Sequence, residues 1–327
     1  MAQGSAPALA QRAASPRRTS FLPHKPPPTR WGGSAPPLDG DRRAHEADLP
    51  NGASQKAVVG NRVRAGDVEL WVEREGEGPD VLLIAGLGDP AEAWQPQLDG
   101  LADRYRLTAY DNRGAARTPL SATPLATTTM ADDAAALLRA LGTPRAHVAG
   151  FSLGSAIAQE LALRAPELVR SLVLVSTYAR PDALFTAQLD FWRWLAEVAP
   201  SERAFFEAFF TWVYTPRAHE DGSVQEIVEE TLAFPHQQSI EAFQAQVDAC
   251  LTHDTADRLP QIAAPTLVLS GELDVILPPR FGRFVAAAIP HARFEIMPAE
   301  AHQPFQEVPE EFNARVDAFW REVEARG

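Results

Sequence analysis

The stretch Gly150-Phe151-Ser152-Leu153-Gly154 constrains this 327-residue chain more than any other. Arg145 to Ala149, mostly apolar, precedes it and reads as a strand. Ser155 to Arg164, rich in helix formers and stopped by Pro166, follows it. A G-x-S-x-G between strand and helix is the pattern of a nucleophile elbow. The turn is so tight that the serine is held in a strained conformation with its hydroxyl in a cleft. A side chain at either glycine would clash with the elbow or the neighbouring strand. The helix aims its N-terminus, the positive end of its dipole, at the same cleft.

The surrounding pattern supplies a sheet for the elbow. Val68, Leu70 and Val72 alternate with polar residues, the period of a half-exposed strand. Val81 to Ala85 is a continuous apolar run, as in a strand covered on both faces. Trp94, Leu98 and Leu101 mark one face of a helix, and Tyr105 to Tyr110 reads as the next strand. Thr129 with Asp132 three residues on predicts a capped helix start, and Gly142 its stop. Leu172 to Val175 is another buried strand. Strands alternating with helices imply an α/β fold with a mostly parallel, doubly wound sheet.

The alternation breaks at about Pro181. From there to about residue 258 the pattern is helical and rich in Phe and Trp, then strands resume at Thr266 to Ser270 and Arg293 to Met297. A helix from Pro309 closes the chain, with Phe312, Val316, Phe319 and Trp320 toward the core. The helical block reads as an insertion, a cap over the edge where open α/β sheets place their sites. Residues 1–55 hold nine of the 28 prolines and show no apolar periodicity. Such a segment buries too little to offset its ordering entropy, so a disordered tail is expected before a domain of residues 56–327.

The net charge of −13 argues against nucleic acid and acidic membrane surfaces as partners. There is no apolar run of about 18 residues of the kind that spans a bilayer. One cysteine, Cys250, permits no internal disulfide and is read as a buried small apolar group, which fits the cytoplasm. A small-molecule substrate is the expected partner, and the sequence carries no signal for oligomeric state, metal or cofactor.

A serine hydroxyl needs a base within hydrogen-bond reach, and the base needs an orienting acid. Asp274 follows the strand Thr266–Ser270, and His302 follows the last strand. The order Ser152, Asp274, His302 is the Ser…Asp…His order of α/β sheets with an elbow. Glu272 is the second choice of acid, placed closer to its strand end. His147, His219, His236, His253 and His291 are read as surface or core residues. A developing oxyanion needs backbone donors, and the expected ones are the N–H groups of Leu153 and of Leu87 in the loop Ala85-Gly86-Leu87-Gly88.

Together these segments resemble a serine hydrolase of the α/β-hydrolase fold with a helical cap. Asp111-Asn112-Arg113-Gly114 and Met130-Ala131-Asp132-Asp133 belong to the same likeness, which spans about residues 56–325. Within the family the chain is most similar to enol-lactonases, small esterases and the aminoacrylate-hydrolase group. Many members carry His-Gly where this chain has Ala85-Gly86, which puts the rigidity of the oxyanion loop in question. The resemblance makes Asp111 and Arg113 structural.

The expected activity is hydrolysis of a carboxylic ester or lactone by Ser152, His302 and Asp274, without metal or cofactor. C–C bond hydrolysis, perhydrolysis and amide hydrolysis use the same triad, and a non-catalytic ligand receptor would keep the pocket without turnover. An Asp nucleophile, as in epoxide hydrolases and dehalogenases, is disfavoured by Ser152. The aromatic block with little Arg or Lys between Phe185 and Tyr214 predicts an uncharged or weakly polar substrate larger than acetate. Trp192, Trp194 and Trp212 are the expected roof contacts.

Overall fold

Four largely buried, mostly apolar segments form the middle of the sheet: β3 (Asp80–Ile84), β5 (Ala146–Phe151), β6 (Val169–Val175) and β7 (Thr266–Gly271). Their side chains alternate between two layers, the period of a strand covered on both faces. Leu82, Ile84, Leu172, Leu174 and Val268 enter one core, and Val81, Leu83, Val173, Leu267 and Leu269 the other. Each such burial stabilises by about 1.5–3 kcal/mol, so these strands are fixed by their runs of Val, Leu and Ile. The computed structural model describes residues 60–121 and 124–326, together with Met1. Of the expected tail, residues 1–55, all but Met1 lie outside the described residues.

The sheet has eight strands among the described residues, in the order β1-β2-β4-β3-β5-β6-β7-β8. β1 (Asn61–Ala65), β2 (Val68–Glu75) and β4 (Arg106–Tyr110) pair antiparallel, and every later neighbour is parallel, ending with β8 (Arg293–Met297). On one face lie α2 (Thr127–Ala140) and α3 (Leu153–Arg164), which contribute Leu137, Leu138, Ile157 and Leu161 to the first core. On the other face lie α1 (Gln95–Leu101) and α11 (Pro309–Arg326), where Trp94, Phe312 and Trp320 are almost fully buried.

Between β6 and β7 stand α4 (Ala183–Val198), α5 (Glu202–Phe210), α6 (Pro216–Glu220), α7 (Ser223–Ala233) and α8 (Ile240–Thr252). Their caps are local: Asp182, Ser201, Thr215 and Ser239 each accept from a backbone N–H in the first turn. Phe205, Phe209 and Phe243 pack with ring centroids 5.4–6.3 Å apart, a small core of the block's own. The block reaches the loops after three parallel strands. Gln246 of α8 binds Gly88 and Arg113, and Arg217 of α6 pairs with Glu300. It therefore sits at the C-terminal edge of the sheet. α9 (Pro279–Ala288) packs on β7, and the short α10 (Pro304–Glu307) precedes α11.

One local expectation fails for a physical reason, and one strand carries no sequence signal. α2 starts at Thr127 after Ala126, without a side-chain cap, instead of at Thr129. Thr129 Oγ1 donates to the Pro124 carbonyl, while buried Thr127 meets His253 Nδ1 at 3.0 Å. A contact across the molecule thus sets the helix entry. The edge strand β1 has no clear apolar period because its first two residues face solvent. It is specified by the two-residue turn at Gly66, φ 61°, and by register with β2.

One buried charge cluster has a surplus of acid. The Arg117 guanidinium is shared by Asp111 at 2.7 Å, Glu92 at 2.6 Å and Glu73 at 3.5 Å. Burial, then the Glu92 charge, push the Glu73 carboxyl up to about 7 against the Trp71 and Arg117 contacts. An acid raised on folding is harmless while protonated and costs stability as pH climbs from 4.5 to about 7 and beyond. Glu73→Gln should therefore raise the melting temperature at pH 8, with the gain vanishing toward pH 4.5. A loss of stability at pH 8 would mean that the Glu73–Arg117 attraction outweighs burial.

Candidate active site

Ser152 joins β5 to α3 with φ 51° and ψ −115°, a conformation costly for any residue but glycine. The surroundings hold it there. Its N–H donates to the Val175 carbonyl at 3.0 Å. A Cβ on Gly150 would lie 2.3 Å from the Gly154 oxygen, and one on Gly154 would lie 2.1 Å from the Ile84 oxygen. Backbone cannot move aside as a side chain can, so both positions require glycine. Ser155 Oγ donates to the Ser152 carbonyl at 2.6 Å, and Ser155, Thr177 and Gln159 form a buried network beneath the turn.

His302 Nε2 lies 3.1 Å from Ser152 Oγ, and its Nδ1 lies 2.8 Å from Asp274 Oδ2. All three side chains are buried or nearly so. The other Asp274 oxygen accepts from the N–H groups of Ile276 and Leu277, both at 2.9 Å. Burial works against the Asp274 charge, but His302 and the two backbone donors outweigh it and hold the carboxyl below its ordinary range. Glu272 is elsewhere engaged: its carboxylate accepts from the Ala299 N–H at 3.0 Å. The His302 backbone is pinned from two sides. Ser176 Oγ donates to its carbonyl at 2.8 Å, and its N–H donates to the Val213 carbonyl of the helical block at 3.0 Å.

The loop after β3 is held by side chains from distant segments. Asn112 donates to the Ala85 carbonyl at 2.9 Å, Gln246 accepts from the Gly88 N–H at 2.9 Å, and Asp111 accepts from the Ala91 N–H at 2.8 Å. These bonds fix the loop Ala85-Gly86-Leu87-Gly88 without a histidine at position 85. Among the described residues the Leu87 N–H has no acceptor, and Leu153, the first residue of α3, has none within its helix. Arg113 is tied to Asp133 and Asp67, on the side of the loop structure.

Above Ser152 lies a cleft whose empty space, open solvent at its mouth included, is about 440 Å³. α4 lines it with Phe185, Leu189 and Trp192, spaced by four and three residues on one helical face. Trp194 falls two residues later, on the far side of α4, and is 54% exposed. Trp212 packs against Trp192 and Phe191 instead of lining the cavity. Of the three expected roof contacts only Trp192 lines it, because helix phase, not aromatic content, decides which ring faces in. Cys250 also lines the wall, with its thiol pushed up to about 12 by burial.

Two polar residues were not anticipated. Gln303 lines the cavity while its Oε1 accepts from the Tyr214 hydroxyl at 3.1 Å. Asp89 lines it too, and burial pushes its carboxyl up to about 7, opposed by His302 and the Gly86 N–H. His147 and His253 lie outside the cavity, and burial pushes them down to about 4 and about 3, so they are neutral structural groups. Among the described residues no cluster of His, Cys, Asp or Glu is built to hold a metal ion, and no helix is long and apolar enough to cross a membrane.

A non-hydrolysable ester analogue should change tryptophan emission in the wild type and in Trp194→Phe, and Trp192→Phe should remove most of the change. Loss of the change in Trp194→Phe alone would place the ligand elsewhere.

The family model for the alpha/beta hydrolase fold matches residues 79–307. "Putative carbamate hydrolase RutD" of Azorhizobium caulinodans is 32% identical over 259 residues, covering 79% of this chain and 97% of its own. "Putative non-heme bromoperoxidase BpoC" of Mycobacterium tuberculosis is 33% identical over 267 residues, 79% of this chain and all of its own. A solved thermophilic esterase from Thermogutta terrifontis superposes with a TM-score of 0.71 at 26% identity, covering 81% of this chain and 98% of its own. With an elbow at Ser152, an eight-stranded sheet of this order and a family match over most of its length, the chain belongs to the alpha/beta-hydrolase fold family of hydrolases.

Proposed function

We propose that the chain is a serine hydrolase that cleaves a carboxylic ester or lactone of a small, largely apolar substrate through an acyl-enzyme. The observation that carries this reading is the unbroken chain Ser152 Oγ, His302 Nε2, His302 Nδ1, Asp274, with links of 3.1 and 2.8 Å. Neutral His302 takes the Ser152 proton as Oγ attacks the carbonyl carbon. The N–H groups of Leu87 and Leu153 receive the oxyanion, where one donor is worth about 10²–10³ in rate. Collapse breaks the C–O bond, and His302 returns the proton to the leaving alcohol, which stays tethered when the substrate is a lactone. Water then gives a proton to His302, attacks the acyl carbon, and releases the acid with Ser152 reprotonated. Asp274 keeps His302 in the tautomer that presents a free Nε2.

The lining supports the choice of substrate. Phe185, Leu189, Trp192, Phe209, Phe210 and Ile276 make the walls apolar, and among the described residues no Lys or Arg lines the cavity. A dianion would find no counter-charge there and would meet Asp89. The substrate is therefore uncharged or weakly polar, with an acyl or ring portion larger than acetate.

Asp274→Asn should lower kcat about 10⁴-fold on p-nitrophenyl butyrate, by losing the tautomer, with the melting temperature close to wild type. Glu272→Gln should stay within a few-fold of wild type. A crippled Glu272→Gln beside an active Asp274→Asn would overturn the assignment of the acid.

A further inference from the structure

Among the described residues Asp89 carries the one carboxyl that lines the cavity, and neither the triad nor the apolar walls use it. We propose that Asp89 forms an acceptor subsite beside the reacting carbonyl, selecting substrates with an O–H or N–H donor next to that carbonyl and refusing carboxylates. The proposal rests on the hydrolase reading above and names the substrate chemistry of the same site.

Position is the first argument. Asp89 lines the cavity together with Ser152, His302 and Leu87. Its Oδ2 lies 2.8 Å from where a Cβ on Gly86 would stand. The carboxyl thus rests on the residue immediately before Leu87, whose N–H is the oxyanion donor proposed above. Consecutive Cα atoms are about 3.8 Å apart, so an oxygen there reaches a group one or two bonds from a carbonyl held at Leu87.

Charge is the second argument. Among the described residues no Lys or Arg pairs with Asp89, although most buried carboxylates of this protein have such a partner. The titratable groups acting on it are His302, which favours its charge, and the Tyr214 phenol, pushed far above its ordinary range mainly by burial and then by Asp89. A half-buried carboxyl without a cation gains from a donor supplied by a ligand, since hydrogen bonds to charged groups are the stronger ones. With a pKa near 7 it also changes character near neutrality. Below that it is neutral and tolerates an anion. Above it the carboxylate repels one.

The test compares matched esters that differ in one group. p-Nitrophenyl mandelate carries an α-hydroxyl where p-nitrophenyl 2-phenylpropanoate carries a methyl. Mono-p-nitrophenyl adipate carries a carboxylate that p-nitrophenyl hexanoate lacks. The ratio of kcat/KM within each pair is measured for wild type, Asp89→Asn and Asp89→Leu. Taking the ratio cancels any general loss of activity in a variant. Asp89→Leu should lower the hydroxyl preference at least about tenfold, the loss of one charge-assisted hydrogen bond. Asp89→Asn should keep part of that preference and raise the adipate ratio. Discrimination against adipate should grow in wild type as pH rises through about 7, and stay flat in Asp89→Asn.

Binding of mandelamide against 2-phenylpropanamide, followed by ligand-observed NMR, gives the same comparison without turnover. Both variants keeping wild-type ratios, in kinetics and in binding, would overturn the subsite. Failure of the wild type to hydrolyse any of the four esters would count against the hydrolase reading, while the amide comparison still decides the subsite.

Discussion

The close approach of α3 to β3 is the contact on which the rest of this site depends. Gly154 brings the first turn of the helix against the Ile84 and Ala85 carbonyls, where a Cβ would lie 2.1 and 2.6 Å away. That approach sets the start of α3 against the end of β3. Ser152, just before that turn, stands at positive φ with its hydroxyl 3.1 Å from His302 Nε2. Strain of this kind costs about 1–3 kcal/mol and persists only where the surroundings over-determine it. Here the Val175 carbonyl, the Ser155 hydroxyl and the buried Gln159 network supply that determination.

The helical block does more than cover the cavity. Val213 fixes the His302 backbone, and Gln246 joins the loop after β3 to the loop after β4. His302 and the loop after β3 are thus both held by residues of the block. The same block sets the walls: one face of α4 turns Phe185, Leu189 and Trp192 inward, and the other leaves Trp194 in solvent. Asp89 and Gln303 are polar exceptions among these walls, and Asp89 sits next to the loop after β3.

Much of the fold was legible in the sequence because the central strands are buried on both faces. Val81 to Ala85 and Leu172 to Val175 can be little else. β1 was not legible, since only its last residue is fully buried and its charges mask the period. The start of α2 was misread because a contact with His253, 126 residues away, outweighs the local capping signal. The three residues that the structure joins could be named from order and from position after strands. Asn112, Ser176 and Gln246 could not, since their partners lie 27, 126 and 158 residues away and no local pattern encodes the contact. Asp89 gave no signal either: its meaning comes from the cavity above it and from the absence of a cation among its described neighbours. Helix phase could have separated Trp192 from Trp194, because the spacing Phe185, Leu189, Trp192 defines one face and excludes a ring two residues on.

The central claim is that the carbonyl carbon bonds to Ser152 Oγ during turnover. Acid-quenching the protein during steady-state hydrolysis of p-nitrophenyl butyrate, followed by peptide mass spectrometry, tests this most directly. The account requires a butyryl adduct on the peptide containing Ser152, absent in Ser152→Ala. An active protein that carries no adduct there, or carries it on another residue, would contradict the account.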